Sequence, residues 1–279
     1  MPPSTGLYAE RATLPPQEER FSLWRSLLIQ KRVISALILR EILTRFGRRN
    51  LGFLWLFVEP ALFIVVLAAI WHGMNGPQKS GMIVEAFVLT GYSTVLLWRN
   101  MPGRCIKAMA PNVALLYHRQ VKPIDIYLAR AGLEAAAATM SFVVLAIAFI
   151  GIGLSPIPDD ILKVLVGWGL LIWYGLGLAL FFGAASERGE LIEKIWSPLN
   201  IVMLFLSGAF FMLATFPPQA REFLLYIPTV SCIELLREGY FGSGHRFYYD
   251  IPYVIIFNAV LMLLGLAQVR YISRHISFV

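Results

Sequence analysis

Charged side chains are scarce: Asp, Glu, Lys and Arg make up 15% of the 279 residues, against about 25% in a soluble domain. Beside a hydrophobic share of 58%, that deficit excludes a water-soluble core and suits a chain whose solvent is mostly lipid. Only two cysteines are present, Cys105 and Cys232. The topology below puts them on opposite membrane faces, so no disulfide framework is implied. The four histidines, His72, His118, His245 and His275, are far apart, and no cluster offers a metal site. No Gly-x-x-x-x-Gly-Lys-Ser/Thr element occurs, nor any Gly-Lys pair, which excludes the phosphate cradle of a P-loop nucleotide site. With no basic-aromatic module for nucleic acid, the net charge of +7 needs another reason. The first 20 residues lack the apolar stretch and cleavage site of a signal peptide; Pro-rich and polar, they read as a flexible cytoplasmic tail.

What is present is a series of apolar runs. A spanning helix needs about 20 mostly apolar residues. Six stretches qualify: Gly52–Trp71, Met82–Trp98, Ala135–Leu154, Ile161–Phe182, Leu199–Phe216 and Pro252–Val269. The fifth follows Ser197-Pro198, which reads as a helix break, and ends at Pro217-Pro218. Nineteen Lys and Arg fall in residues 1–50, 99–131, 183–198 and 270–279, and five on the other side. The positive-inside rule makes the nineteen cytoplasmic. Residues 21–279 thus read as one all-α integral membrane domain with both termini inside.

Three segments are not simple spans. Phe21–Phe46 puts Trp24, Leu27, Leu28, Ile34, Ile38 and Ile42 on one arc of a helix, with Lys31, Ser35 and Arg45 intruding. It is an imperfect amphipathic helix for the inner head-group layer, or a mere anchor for the first span. Residues 99–131 form a basic, apolar-studded cytoplasmic loop, with a short helix at Cys105–Ala110, a break at Pro111, then Val113–His118 and a further Pro at 123. This loop either docks on a soluble partner, with Arg104, Lys107, Met109, Asn112, Leu115 and Tyr117 as contacts, or orders itself against the spans. Residues 217–250 face outward yet hold Phe223–Ile227 and Ser231–Leu236, too short to cross. They form either an outward re-entrant helical pair between spans five and six or an interfacial cap. Glu234, Arg237 and Glu238 have the spacing of a local ion pair.

Glu59 and Glu85 fall inside apolar runs, where ionisable groups are functional candidates unless they reach water at a span end. Trp55, Trp71, Tyr92 and Trp98, at span ends, are suited to stack on sugar rings or to form an ordinary aromatic belt. Arg40, Arg48 and Arg49 are candidates for phosphates of a lipid-linked substrate or of the inner leaflet.

The run Arg40-Glu41-Ile42-Leu43-Thr44-Arg45-Phe46, then Leu51-Gly52-Phe53-Leu54-Trp55 and Glu59-Pro60, resembles the entry to the first span of ABC-2 type transporter permeases. Within that family it is similar to the polysaccharide-export branch. Asn112–His118 with Val121-Lys122-Pro123, and Ser207-Gly208-Ala209-Phe210-Phe211, carry the same resemblance. Glu234–Phe241, with Tyr248, Tyr249 and Tyr253, looks most like the inner-membrane permease of Gram-negative group 2 capsule export. The resemblance covers residues 22–275 and implies a permease moving lipid-linked polysaccharide across the bacterial inner membrane. It implies a homodimer bound to two ATPase subunits that carry ATP and Mg, with no cofactor in this chain. It further implies periplasmic copolymerase-type and outer-membrane export partners. On its motifs Ser207, Phe210, Phe211, Glu234, Arg237 and Glu238 are candidates for an outward gate. Exporters of O-antigen, teichoic acid or another glycolipid, a lipid-linked-glycan enzyme and a scaffold are the alternatives.

Overall fold

The computed structural model describes residues 23–46, 51–73, 82–116 and 121–275. The expected tail, residues 1–20, lies outside them, as do Arg48, Arg49 and Tyr117. All regular elements among the described residues are helical. In chain order they are α1 (Leu23–Phe46), α2 (Leu51–Gly73), α3 (Val84–Cys105), the single turn α4 (Val113–Leu116), α5 (Pro123–Gly151) and α6 (Ile161–Ser186). There follow α7 (Leu191–Leu206), α8 (Pro218–Leu225), α9 (Pro228–Phe241) and α10 (Ile251–His275). Helices α5, α6 and α10 are long and apolar enough to cross a membrane, and α2 offers a shorter apolar stretch, Val58–Trp71. Each satisfies its own backbone, as lipid demands.

The centre of the bundle is α6, packed on α3, α9 and α10. Glycines let it approach: a Cβ on Gly175 would stand 3.2 Å from the Trp98 Cα, and one on Gly265 of α10 only 2.8 Å from the Leu180 Cβ. Close van der Waals contact through small residues is how apolar helices associate without water to drive them. Polar pins fix the register. Asn258 Nδ2 of α10 donates to the Leu170 carbonyl at 3.0 Å, and Trp168 Nε1 to Thr139 Oγ1 of α5 at 2.9 Å.

Three boundaries differ from the sequence reading. The helix expected at Leu199–Phe216 runs instead over Leu191–Leu206, with Pro198 inside it. It stops because Ser207 turns its hydroxyl back to the Leu204 carbonyl and Gly208 takes φ +88°, where a glycine is favoured. At 16 residues it extends about 24 Å, short of the ~30 Å hydrocarbon core. The helix expected from Ala135 begins at Pro123, a proline at the first helical position, with Asp125 accepting from the Lys122 N–H at 2.9 Å. The short helix expected at Cys105–Ala110 is absent: α3 ends at Cys105, Lys107 takes φ 51°, and Pro111 sits in a 3-10 turn over Ala110–Asn112 that runs directly into α4.

The face of α1 against the bundle is Gln30, Val33, Ile34, Leu37, Ile38, Glu41 and Ile42, all half-buried. Leu27 and Leu28, expected on the same arc as Ile34, are exposed, as are Leu39 and Leu43. The amphipathicity is imperfect because the helix is apolar on two sides, one against α5 and one left open.

Candidate functional site

At one end of the bundle Arg237 of α9 is fully buried. Its Nη1 donates to the carbonyls of Gly208 and Phe211, each at 2.8 Å, and Nη2 donates to Ala209. The guanidinium lies 3.7 Å over the Phe87 ring of α3. Gly91 of α3 makes the room, since a Cβ there would stand 2.2 Å from the Ala209 oxygen. Glu234, one turn away, accepts from the Leu213 N–H at 3.1 Å and the Tyr248 N–H at 3.3 Å. Glu238 pairs with Lys163 of α6 at 2.9 Å. Burial works against the charged form of Glu238, yet hydrogen bonds from Lys163 and Tyr249 and the Lys163 charge hold its carboxyl below the ordinary range. The local ion pair expected from their spacing is therefore replaced by three separate attachments. Arg237 and Glu234 hold the segment after α7, Ser207 turns back onto the last turn of that helix, and Glu238 fastens α9 to α6, while Phe210 meets Phe205 by ring contact.

Between α2, α3 and α7 opens a cleft of about 440 Å³, polar although its walls are apolar helices. Glu59, Tyr92, Arg99, Asn100, Arg104 and Asn200 line it. A smaller recess sharing Glu59, Tyr92 and Asn100 reaches Glu134 and Ser141 of α5. Arg104 Nε meets Glu134 Oε1 at 3.3 Å. Ser141 Oγ and Asn200 Oδ1 are buried beside these cavities without a hydrogen-bond partner in the protein. Tyr92 stacks on Phe63 of α2 with centroids 4.1 Å apart.

The opposite end ties α1 and the 105–116 segment to the bundle. Arg40 Nη1 donates to Asn112 Oδ1 at 2.7 Å, and Asn112 Nδ2 to the Ala108 carbonyl at 2.8 Å. Arg130 of α5 meets Glu41 at 3.5 Å and donates to the Arg104 carbonyl at 3.0 Å. The Lys107 N–H donates to Ser186 Oγ at 2.9 Å and the Met109 N–H to Glu187 Oε1 at 3.0 Å, while Lys107 Nζ pairs with Glu193 of α7. Burial pushes the Glu187 carboxyl up, against the pull of the Met109 N–H. The 105–116 segment is thus fastened both to the α6–α7 turn and to the first turn of α7.

The sequence candidates divide accordingly. Tyr92 faces the cleft, joined there by Arg104, which the sequence reading put on a docking loop. Trp98 is fully buried with its ring edge-on to Tyr174, which leaves no face for a sugar. Trp71 is half-buried against Phe87, centroids 5.4 Å apart. The side chain of Trp55 lies outside the described residues. Met109 and Asn112 are buried, so neither offers a docking knob; Leu115 is half-buried, while Pro111, Val113 and Ala114 are exposed. Glu85 sits in the first turn of α3, at a helix end. Arg99, Asn100, Glu134, Trp196 and Asn200 were missed. Glu134 had a signal, a carboxylate at the head of the apolar run Ala135–Thr139.

Comparison with known proteins places these features. The family model described as ABC-2 type transporter matches residues 32–241. The capsule polysaccharide export inner-membrane protein CtrC of Neisseria meningitidis serogroup B is 42% identical over 256 residues, covering 92% of this chain and 97% of that protein. The similarly named BexB of Haemophilus influenzae is 37% identical over 91% of this chain and 96% of its own. The polysialic acid transport protein KpsM of Escherichia coli is 30% identical over 87% and 94%.

Proposed function

Because this chain belongs to the ABC-2 type transporter family, we propose that it is the permease subunit of an ATP-driven exporter moving lipid-linked capsular polysaccharide across the bacterial inner membrane. The carrying observation is the polar cleft between α2, α3 and α7, with Arg99, Arg104 and Glu59 inside an apolar bundle, and the recess that continues it to Glu134 of α5. Ionisable groups gathered in a cavity between apolar helices mark substrate paths. The names of the relatives, two of them capsule export proteins, supply the substrate class.

The full reading has six spans, α2, α3, α5, α6, α7 and α10, with the basic end cytoplasmic and α8–α9 re-entering from outside. Two copies work with two ATPase subunits, which supply the ATP and Mg chemistry, and with periplasmic copolymerase-type and outer-membrane proteins beyond. Short α7, tethered by Glu193 at the basic end and by the Arg237 assembly at the other, joins the ATPase side to the outer gate. An Arg99→Glu variant tests the cleft. It should insert normally, retain ATP turnover in the complex with the ATPase, and lose surface polysaccharide. Normal polysaccharide in that variant overturns the assignment of the path.

A further inference from the structure

The outer end carries a second hollow, remote from the cleft. Glu222 and Leu225 of α8, Tyr226, and Asp250 and Tyr253 at the start of α10 enclose about 270 Å³. Tyr226 is 71% exposed. Its ring stands at 89° to that of Tyr253, centroids 6.4 Å apart, so the two make a wall and a floor. The corner is built rather than incidental. The Tyr253 hydroxyl donates to the Tyr226 carbonyl at 2.8 Å, the Asp250 N–H to Ser231 Oγ at 3.2 Å, and the Tyr253 N–H to Asp250 Oδ1 at 3.0 Å.

A tyrosine face offers a large, flat apolar surface with a polar tip. Carboxylates beside it accept strong hydrogen bonds from hydroxyl donors. A ligand that satisfies both has one flat C–H face and a rim of hydroxyls, which is a pyranose. The same two carboxylates oppose an anionic sugar. We propose that the Tyr226–Tyr253 corner is an exit-side subsite for an uncharged pyranose unit of the polymer, a proposal resting on the export reading above.

The test is saturation-transfer NMR of the full chain in lipid nanodiscs, with maltohexaose as the uncharged probe and an oligomer of sialic acid as the charged one. Maltohexaose should take up saturation and the sialic acid oligomer should not. Tyr226→Ala should cut the maltohexaose signal at least threefold and Glu222→Gln should reduce it, while Tyr226→Phe keeps it. Both positions are exposed, so the fold should stand, and the Tyr226 carbonyl that holds Tyr253 is unchanged. A maltohexaose signal that ignores Tyr226→Ala, or equal transfer to both probes, overturns the subsite. Neither result touches the export reading, which fails separately if cells lacking this chain keep their surface polysaccharide.

Discussion

The guanidinium of Arg237 reaches the carbonyl of Gly208 at 2.8 Å across 29 residues of sequence, and in doing so fixes where α7 ends. The backbone after Ser207 leaves the helix and presents three carbonyls, of Gly208, Ala209 and Phe211, to one buried cation. Lysine carries the charge but not the planar fork. An Arg237→Lys variant should therefore lose one or more charge-assisted bonds and about 2–3 kcal/mol of stability, read as a lowered midpoint in thermal unfolding in detergent. An unchanged midpoint would show that the fork is not what holds the segment.

Gly91 belongs to the same contact from the other side. A methyl group there would meet the Ala209 oxygen at 2.2 Å and Arg237 Nη2 at 2.8 Å. Overpacking of this kind costs about 1–3 kcal/mol. Gly91→Ala should destabilise the protein by that amount, and adding it to Arg237→Lys should cost less than the sum of the two, because both strike one assembly. Strict additivity in the double mutant would separate them.

Much of this was written in the sequence, though not always where it was read. Gly208 after an apolar run is a helix stop, but the run through Phe216 is apolar enough to mask it, so the end of the span was placed ten residues too far along. Lys122-Pro123 was legible as a helix start, since proline fits the first turn, yet it was read as part of the loop 99–131. Trp98 shows the harder limit. An aromatic at a span end looks the same whether it faces lipid, sugar or another helix. Only Gly175 on α6, 77 positions later, makes room for α3 to turn that ring inward. The outer hollow was invisible for a similar reason, because Tyr226 and Tyr253, 27 residues apart, meet only in the folded chain.

Arg104 and Glu134 connect α3 to α5 at the edge of the cleft, 3.3 Å apart, with the carboxylate almost wholly buried and the guanidinium half-exposed. Removing the exposed partner should raise the cost of a charged Glu134. Arg104→Ala is expected to lose about 1–3 kcal/mol, less than for a fully buried pair because solvent screens the arginine. Glu134→Gln in the Arg104→Ala background should recover part of that loss. Failure to recover any of it would mean that the arginine acts through packing rather than charge.

Lys107 and Glu193 offer a charge-swap test of the tether between the 105–116 segment and α7. Both side chains are about half-exposed, so solvent screens the pair and its loss should leave the fold intact. Lys107→Glu should lower the export rate, and Lys107→Glu with Glu193→Lys should restore most of it. Surface polysaccharide measured over time after induction is the readout. Export unaffected by the single reversal would remove this contact from the coupling route.

The exposed side of the same segment is where an ATPase subunit has room to dock, and burial decides which residues can serve. Met109 was an attractive anchor by type, but it is 3% exposed and packed in the main core. Met109→Ala should therefore cost stability, about 2–4 kcal/mol for a buried apolar truncation, before it affects any partner. Val113 and Ala114 are exposed on α4, directly after the 3-10 turn that Arg40 holds through Asn112. A carboxylate placed in a desolvated apolar contact is strongly unfavourable, whereas on a solvated surface it costs almost nothing. Val113→Glu and Ala114→Glu should leave the unfolding midpoint where it is and lower both ATPase co-purification and export several-fold. Two curves measured on one preparation, thermal unfolding and ATPase yield, separate the cases. If Val113→Glu and Ala114→Glu retain full ATPase yield, α4 is not the docking surface. The open apolar side of α1, where Leu28, Leu39 and Leu43 stand exposed, is then the next surface to test.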